Sequence, residues 1–108
     1  MTTASELMQK IGQKIQGRDE LKSTIGATYK FVLSGDGGGT FLVDLKQALT
    51  VTEGDGPAAC TVSMAASDFV DLFEGRQNGQ ALFFAGKLRV DGDMSLALRL
   101  GNVTDILK

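Results

Sequence analysis

Three features of the sequence predict an α+β domain. An amphipathic helical pattern opens the chain, five short runs alternate with a two-residue period, and helical segments separate the fourth run from the fifth. The length, 108 residues, fits a single domain over 1–108 with one hydrophobic core.

Thr3-Ala4-Ser5-Glu6 has the form of a capping box, in which Thr3 accepts the Glu6 amide and Glu6 reaches back. Behind it Leu7, Met8, Ile11 and Ile15 repeat at helical spacing, with Lys10, Gln13, Lys14 and Gln16 opposite and Gly17 as a stop. "RDELK" adds a short helical turn before Gly26. The period then changes to two. "TYKFVLS" places Tyr29, Phe31 and Leu33 against Lys30, Val32 and Ser34. After the glycine-rich "GDGGG", "TFLVDLK" sets Phe41, Val43 and Leu45 against Leu42, Asp44 and Lys46, which predicts an antiparallel hairpin. "ALTVTE" and "CTVSM" supply a third and a fourth strand around the turn "GDGPAA", and four successive strands suggest an antiparallel meander.

In "ASDFVDLFEG" Phe69, Leu72 and Phe73 share one helical face, Asp68, Asp71 and Glu74 lie on another, and Gly75 suits the end. Asn78 caps a second short helix, "GQALFFA", which Gly86 stops. "KLRVD" alternates again as a fifth strand. In "MSLALRL" Leu96, Leu98 and Leu100 alternate as in a strand, yet Met, Ala, Leu and Arg are strong helix formers and Asp93 is a good cap. A helix is predicted, with Met94, Ala97 and Leu98 on one side and Leu96 and Leu100 on the next. So wide an apolar surface is either sandwiched or faces a cavity, and composition alone leaves both open.

The hydrophobic fraction of 43% and charged fraction of 22% are those of an ordinary soluble protein. A net charge of −2 without a basic run gives no electrostatic footprint for nucleic acid. Cys60, the only cysteine, has no internal disulfide partner, which fits a reducing compartment. No run approaches the roughly 20 apolar residues of a membrane span, and the N-terminus lacks the apolar core of a secretory signal. The expectation is a soluble, cytoplasmic protein.

Histidine is absent, and with it the commonest general base and metal ligand. One cysteine without histidine cannot assemble a standard zinc site. Acid–base work would fall to Asp, Glu, Lys or Tyr29, so neither an enzyme nor a bound cofactor is expected. "SGDGGGT" lies between two strands with no lysine following, so it is a hairpin loop rather than a phosphate cradle. The row Asp68, Asp71, Glu74 is the solvated face of a helix, and "DGD" at 91–93 is a turn with a helix cap rather than a calcium loop. Cys60, at an apolar alternating position, is a small buried hydrophobe.

The stretch "CTVSMAASDFVDLFEGRQNGQALFFAGKLRVDGDMSLALRL" resembles the signature half of the sterol carrier protein type 2 domain, the non-specific lipid-transfer protein family. The resemblance rests on Thr61, Ser67-Asp68-Phe69, Gly75, Asn78, Phe83-Phe84, Gly86-Lys87-Leu88, Arg89-Val90 and Gly92-Asp93-Met94, in that order and at matching spacing. "TFLVDLK" resembles the family's second strand. Gly79 stands where the family often has proline, which loosens the start of the short helix. The end, "DILK", lacks the peroxisomal tripeptide of many eukaryotic members, which favours a cytoplasmic stand-alone domain.

The resemblance implies a curved, mostly antiparallel sheet of about five strands covered on one face by helices. A hydrophobic tunnel between sheet and helices would bind a sterol, fatty acid, fatty acyl-CoA or phospholipid. Its walls would include Phe69, Phe73, Leu82, Phe83, Met94, Leu98 and Leu100, and Lys87 and Arg89 would contact an anionic head group or a membrane. The expected activity is lipid binding and transfer, with transient membrane contact. The alternative is an accessory subunit that presents a lipophilic intermediate to a lipid-processing enzyme.

Overall fold

A computed structural model describes residues 3–35, 37–77, 79–93 and 95. Helix α1 (Ala4–Ile15) starts where Thr3 Oγ1 accepts the Glu6 N–H at 3.1 Å, the forward half of the expected capping box. It buries Ala4, Met8, Ile11 and Ile15 along one stripe. A single helical turn, α2 (Glu20–Thr24), follows and buries Leu21.

Five strands then form one sheet: β1 (Thr28–Ser34), β2 (Gly39–Asp44), β3 (Thr50–Glu53), β4 (Cys60–Ala65) and β5 (Leu88–Gly92). Their order across the sheet is β3-β2-β1-β4-β5. β1–β2, β2–β3 and β4–β5 are antiparallel, whereas β4 lies parallel to β1. The expected meander is therefore corrected, because β4 pairs with β1 and not with β3. The reason lies in residues 54–59, which cross the outer face of the sheet instead of turning back. Asp55 Oδ1 accepts from Lys30 Nζ at 2.9 Å, and Gly56 passes so close to Leu42 that an added Cβ would lie 2.8 Å from Leu42 Cδ1. Ala59 N–H then bonds Thr28 O at 3.1 Å and starts the parallel ladder.

β2 also ends earlier than its alternation suggested. Asp44 turns its carboxylate onto the N–H groups of Lys46, Gln47 and Ala48 at 2.8, 3.1 and 3.5 Å, which curls the chain away from β1. Burial raises the affinity of this carboxyl for its proton, but the three backbone donors outweigh it and hold the pKa below the ordinary value.

Helices α3 (Ala66–Phe73) and α4 (Gly79–Phe84) join β4 to β5. The inner face presents Tyr29, Phe31, Leu33, Phe41, Val43, Cys60, Val62, Met64 and Leu88, all buried in one cluster with the apolar stripes of α1, α2, α3 and α4. Helices thus cover one face of an open sheet. The predicted C-terminal helix, with its wall positions Met94, Leu98 and Leu100, lies outside the described residues. At its expected start Asp93 Oδ1 accepts from the Ser95 N–H at 2.9 Å and the Ser95 hydroxyl at 2.6 Å, as a capping residue would.

Candidate functional site

The apolar site is built from α3 inward. Positions 69, 70, 72 and 73 recur at helical spacing and are buried, so the helix lies across the inner face of β1. Phe69 is fully buried, its ring 5.4 Å from Phe31 and 4.7 Å from Phe73, both in tilted contact. Tyr29 extends this row along β1, 6.3 Å from Phe31. Tilted pairs at these separations add to the area they bury, through the positive ring edge facing the negative ring face.

The opposite side of α3 is fully occupied. Arg76 donates to Asp71 at 2.7 and 2.8 Å and to Glu74 at 2.9 Å, and Gln77 donates to Asp68 at 3.0 Å and Asp71 at 3.1 Å. The Arg76 guanidinium, aided by Gln77, holds the Asp71 carboxyl below its ordinary pKa. The carboxylate row is thus held in a surface hydrogen-bond and ion-pair network. The helix closes on Gly75, at φ 83°, with Arg76 N–H on Asp71 O at 2.8 Å and Gly75 N–H on Leu72 O at 3.3 Å.

α4 ends in the same way. Gly86 has φ 75°, and the N–H groups of Gly86 and Lys87 bond Phe83 O at 3.1 Å and Leu82 O at 2.9 Å. This turn sends Leu82 into the core and carries the chain directly into β5, whose Leu88 is also buried. Cys60 lies buried on the inner face, and burial, with a smaller contribution from Asp93, pushes its thiol pKa up. A thiol in that state is a weak nucleophile. Among the described residues no group of three His, Cys, Asp or Glu side chains is placed to hold a metal ion.

Of the residues singled out in the sequence, Phe69, Phe73 and Leu82 meet in the one buried cluster. Phe83 stands at its margin, 44% exposed, and Lys87 and Arg89 are exposed where α4 turns into β5. Met94, Leu98 and Leu100 lie outside the described residues. Sequence reasoning did not include Tyr29, Phe31 and Cys60 in the site, although Phe31 packs against Phe69 and the paired Tyr29 and Cys60 lie next to it on the inner face. The alternation of β1 and β4 was the available signal. An open groove of about 400 Å³ at the other edge of the sheet, between α1 and β3, had no signal in the sequence. Ser5, Gln9, Gln13, Gln16, Thr50 and Glu53 share its walls with Met8, Phe41 and Val51, a mixed polar and apolar lining.

The described residues form an α+β domain, an open five-stranded sheet with helices on one face and an aromatic interior. Residues 5–105 match the SCP-2 sterol transfer family, and the chain belongs to it. Human sterol carrier protein 2 is 37% identical over 106 residues, which cover 93% of this chain and 19% of that protein. Mouse hydroxysteroid dehydrogenase-like protein 2 is 38% identical over 85 residues, 76% of this chain and 17% of that protein. The chain thus spans about a fifth of the length of these relatives.

Among solved structures, apo sterol carrier protein 2 from Yarrowia lipolytica superposes with a TM-score of 0.86 at 24% identity, covering 96% of this chain and 91% of that one. Sterol carrier protein 2 from Aedes aegypti, in complex with the C16 fatty acid palmitate, gives 0.71 at 22% identity with complete coverage of both chains. At these identities the likeness establishes the fold.

Proposed function

We propose that this chain is a non-catalytic lipid carrier that takes a long apolar chain, from a fatty acid, acyl-CoA, sterol or phospholipid, into a tunnel between the inner face of the sheet and its helices. The observation that carries the reading is the continuous apolar row of Phe31, Phe69 and Phe73, joined to Leu82 in one buried cluster. The palmitate held by the Aedes aegypti protein of the same fold supports it. Phe69, Phe73, Leu82, Phe83, Met94, Leu98 and Leu100 form the walls, and Lys87 and Arg89 meet an anionic head group. Transferring methylene groups out of water contributes about 0.8 kcal/mol each, so a C16 chain offsets the cost of association without specific polar contacts.

Delipidated protein titrated with a fluorescent long-chain fatty acid binds about one molecule per chain, with little dependence on salt. No saturable binding at micromolar protein, or binding that disappears in moderate salt, overturns the reading. Native mass spectrometry of freshly purified protein identifies the lipid that it carries.

A second reading is an accessory domain that presents a lipophilic intermediate to an enzyme. The match to a small part of a dehydrogenase-like protein favours it. Co-purification of a stable enzyme partner, with slow transfer to acceptor vesicles when that partner is absent, selects presentation over free transfer.

A further inference from the structure

β3 stands last in the order β3-β2-β1-β4-β5 and, among the described residues, pairs only with β2. Two bonds show which of its main-chain groups that pairing uses. Gly54 N–H donates to Thr40 O at 2.8 Å, so Thr40, Leu42 and Asp44 turn their main-chain groups toward β3. Leu45 N–H donates to Ala27 O at 3.0 Å, so the alternate positions Phe41 and Val43 turn theirs toward β1. By the same register Thr50 and Thr52 bond β2, and the N–H and C=O groups of Val51 and Glu53 point away from the sheet. A row of outward groups on an edge strand is a template for another strand.

The groove of about 400 Å³ between α1 and β3 runs beside this edge. Gly12 lets the helix lie low over the strand, where an added Cβ would sit 3.5 Å from Val51 Cβ. The helical wall from Ser5 to Gln16 is about 16 Å long at 1.5 Å per residue, a length that about five extended residues fill. Gln9 and Gln13, one turn apart and exposed, present carboxamides that both donate and accept. Glu53 is exposed, and among the described residues no cation pairs with it.

Outward main-chain groups and a carboxylate without a counterion, set along a groove as long as the strand, call for an extended peptide with a basic side chain. A second copy of β3 is a poorer occupant. Residues 50–55 carry two carboxylates and no cation, so two such edges would bring like charges together. An acyl chain would satisfy none of the outward main-chain groups.

We propose that an extended, basic peptide segment of a partner protein adds to β3 as a further strand, with its main chain on Val51 and Glu53 and its cation on the Glu53 carboxylate. The proposal goes beyond the carrier reading and does not depend on it, because the groove lies at the opposite edge of the sheet from β5.

The test is a titration of nitrogen-labelled protein with the blocked pentapeptide threonine-lysine-threonine-valine-threonine, followed by amide NMR shifts. In antiparallel addition its lysine lies opposite Glu53 and its valine opposite Val51. The Val51 and Glu53 signals move saturably, while that of Val90 in β5 stays in place. Glu53→Gln weakens binding about threefold, and moderate salt brings wild type to the same affinity. N-methylation of the probe at lysine and valine, whose N–H groups would face β3, weakens binding at least about tenfold. N-methylation at the central threonine, whose N–H faces solvent, leaves the affinity unchanged. Val51→Pro removes an N–H that β2 does not use and matches the first methylated probe. The methylated probes keep the test independent of whether that variant folds.

Equal weakening by both methylation patterns overturns the proposal, because contact through side chains alone has no such period. So does the absence of saturable shifts at millimolar peptide. Movement of the Val51 and Glu53 signals when the protein alone is concentrated assigns the edge to a second copy, and displacement of the probe by palmitate assigns the groove to lipid; either result overturns the proposal. Palmitate binding without peptide binding keeps the carrier reading and removes this one. Peptide binding by a protein that never takes up palmitate does the reverse.

Discussion

Phe31 and Lys30 are chain neighbours on β1, and they occupy opposite faces of the same sheet. Phe31 lies in a row of buried rings under α3, within an apolar layer that also includes α1 and α2. Lys30 stays partly accessible beside Val32, Leu42, Thr61 and Ser63, and the crossover at residues 54–59 covers that face at one ion pair and one apolar contact. The inner cover is continuous and apolar, while the outer cover is narrow and polar. The difference concentrates the buried apolar packing on the inner side.

Mutations on the two faces measure that difference. Phe31→Ala, deep in the inner layer, lowers unfolding stability by about 3–5 kcal/mol, read from urea midpoints at constant slope. Phe69→Ala, equally buried and in contact with Phe31 and Phe73, costs about the same, and under the proposed carrier function it also weakens palmitate binding. Equal stability losses with unchanged palmitate affinity would show that the inner side is packing only. Phe84→Ala, outside the cluster, stays within about 0.5 kcal/mol of wild type.

The polar devices give smaller effects. Asp44→Ala costs about 1 kcal/mol, since solvent screens a carboxylate this accessible. The Asp44 pKa is lowered in the fold, so its contribution is fully present above the ordinary carboxyl value of 3.8 and is lost as pH falls through the lowered one. The gap in urea midpoint between wild type and Asp44→Ala therefore closes in strong acid, and a gap that persists there would assign the cost to packing. Asp55→Asn on the outer face leaves the midpoint unchanged within measurement scatter, as expected for an exposed partner. A large loss there would mean that the crossover, and not only the helical layer, holds the sheet.

Much of this fold is legible in the sequence, because period and burial are linked. The alternation of residues 28–34, 40–45 and 60–64 names the inward side chains correctly, and the spacing of Phe69 and Phe73 brings both to the core. The strand period says nothing about which strands pair. The parallel register of β1 and β4 comes with contacts far apart in the chain, Asp55 with Lys30 and Gly56 with Leu42, which no local pattern encodes. The same limit applies to the site. Phe83 and Phe84 form an obvious pair in the text of the sequence, but adjacency on a helix separates directions, and the inward one belongs to Leu82. Spacing of three or four residues marks a buried pair, whereas direct succession does not.

The position of β1 between an antiparallel and a parallel neighbour also imposes an order in time. Its first partner, β2, follows after a short glycine-rich turn, while β4 arrives only beyond β2, β3 and the crossover. Closing the short turn sacrifices less chain entropy than closing the longer path, so the β1–β2 hairpin is the quick event. The rings of α3, which directly follows β4, are carried over β1 when β4 pairs with it. The apolar interior is therefore assembled by the slow event, and the surface that would hold a lipid is completed late in folding.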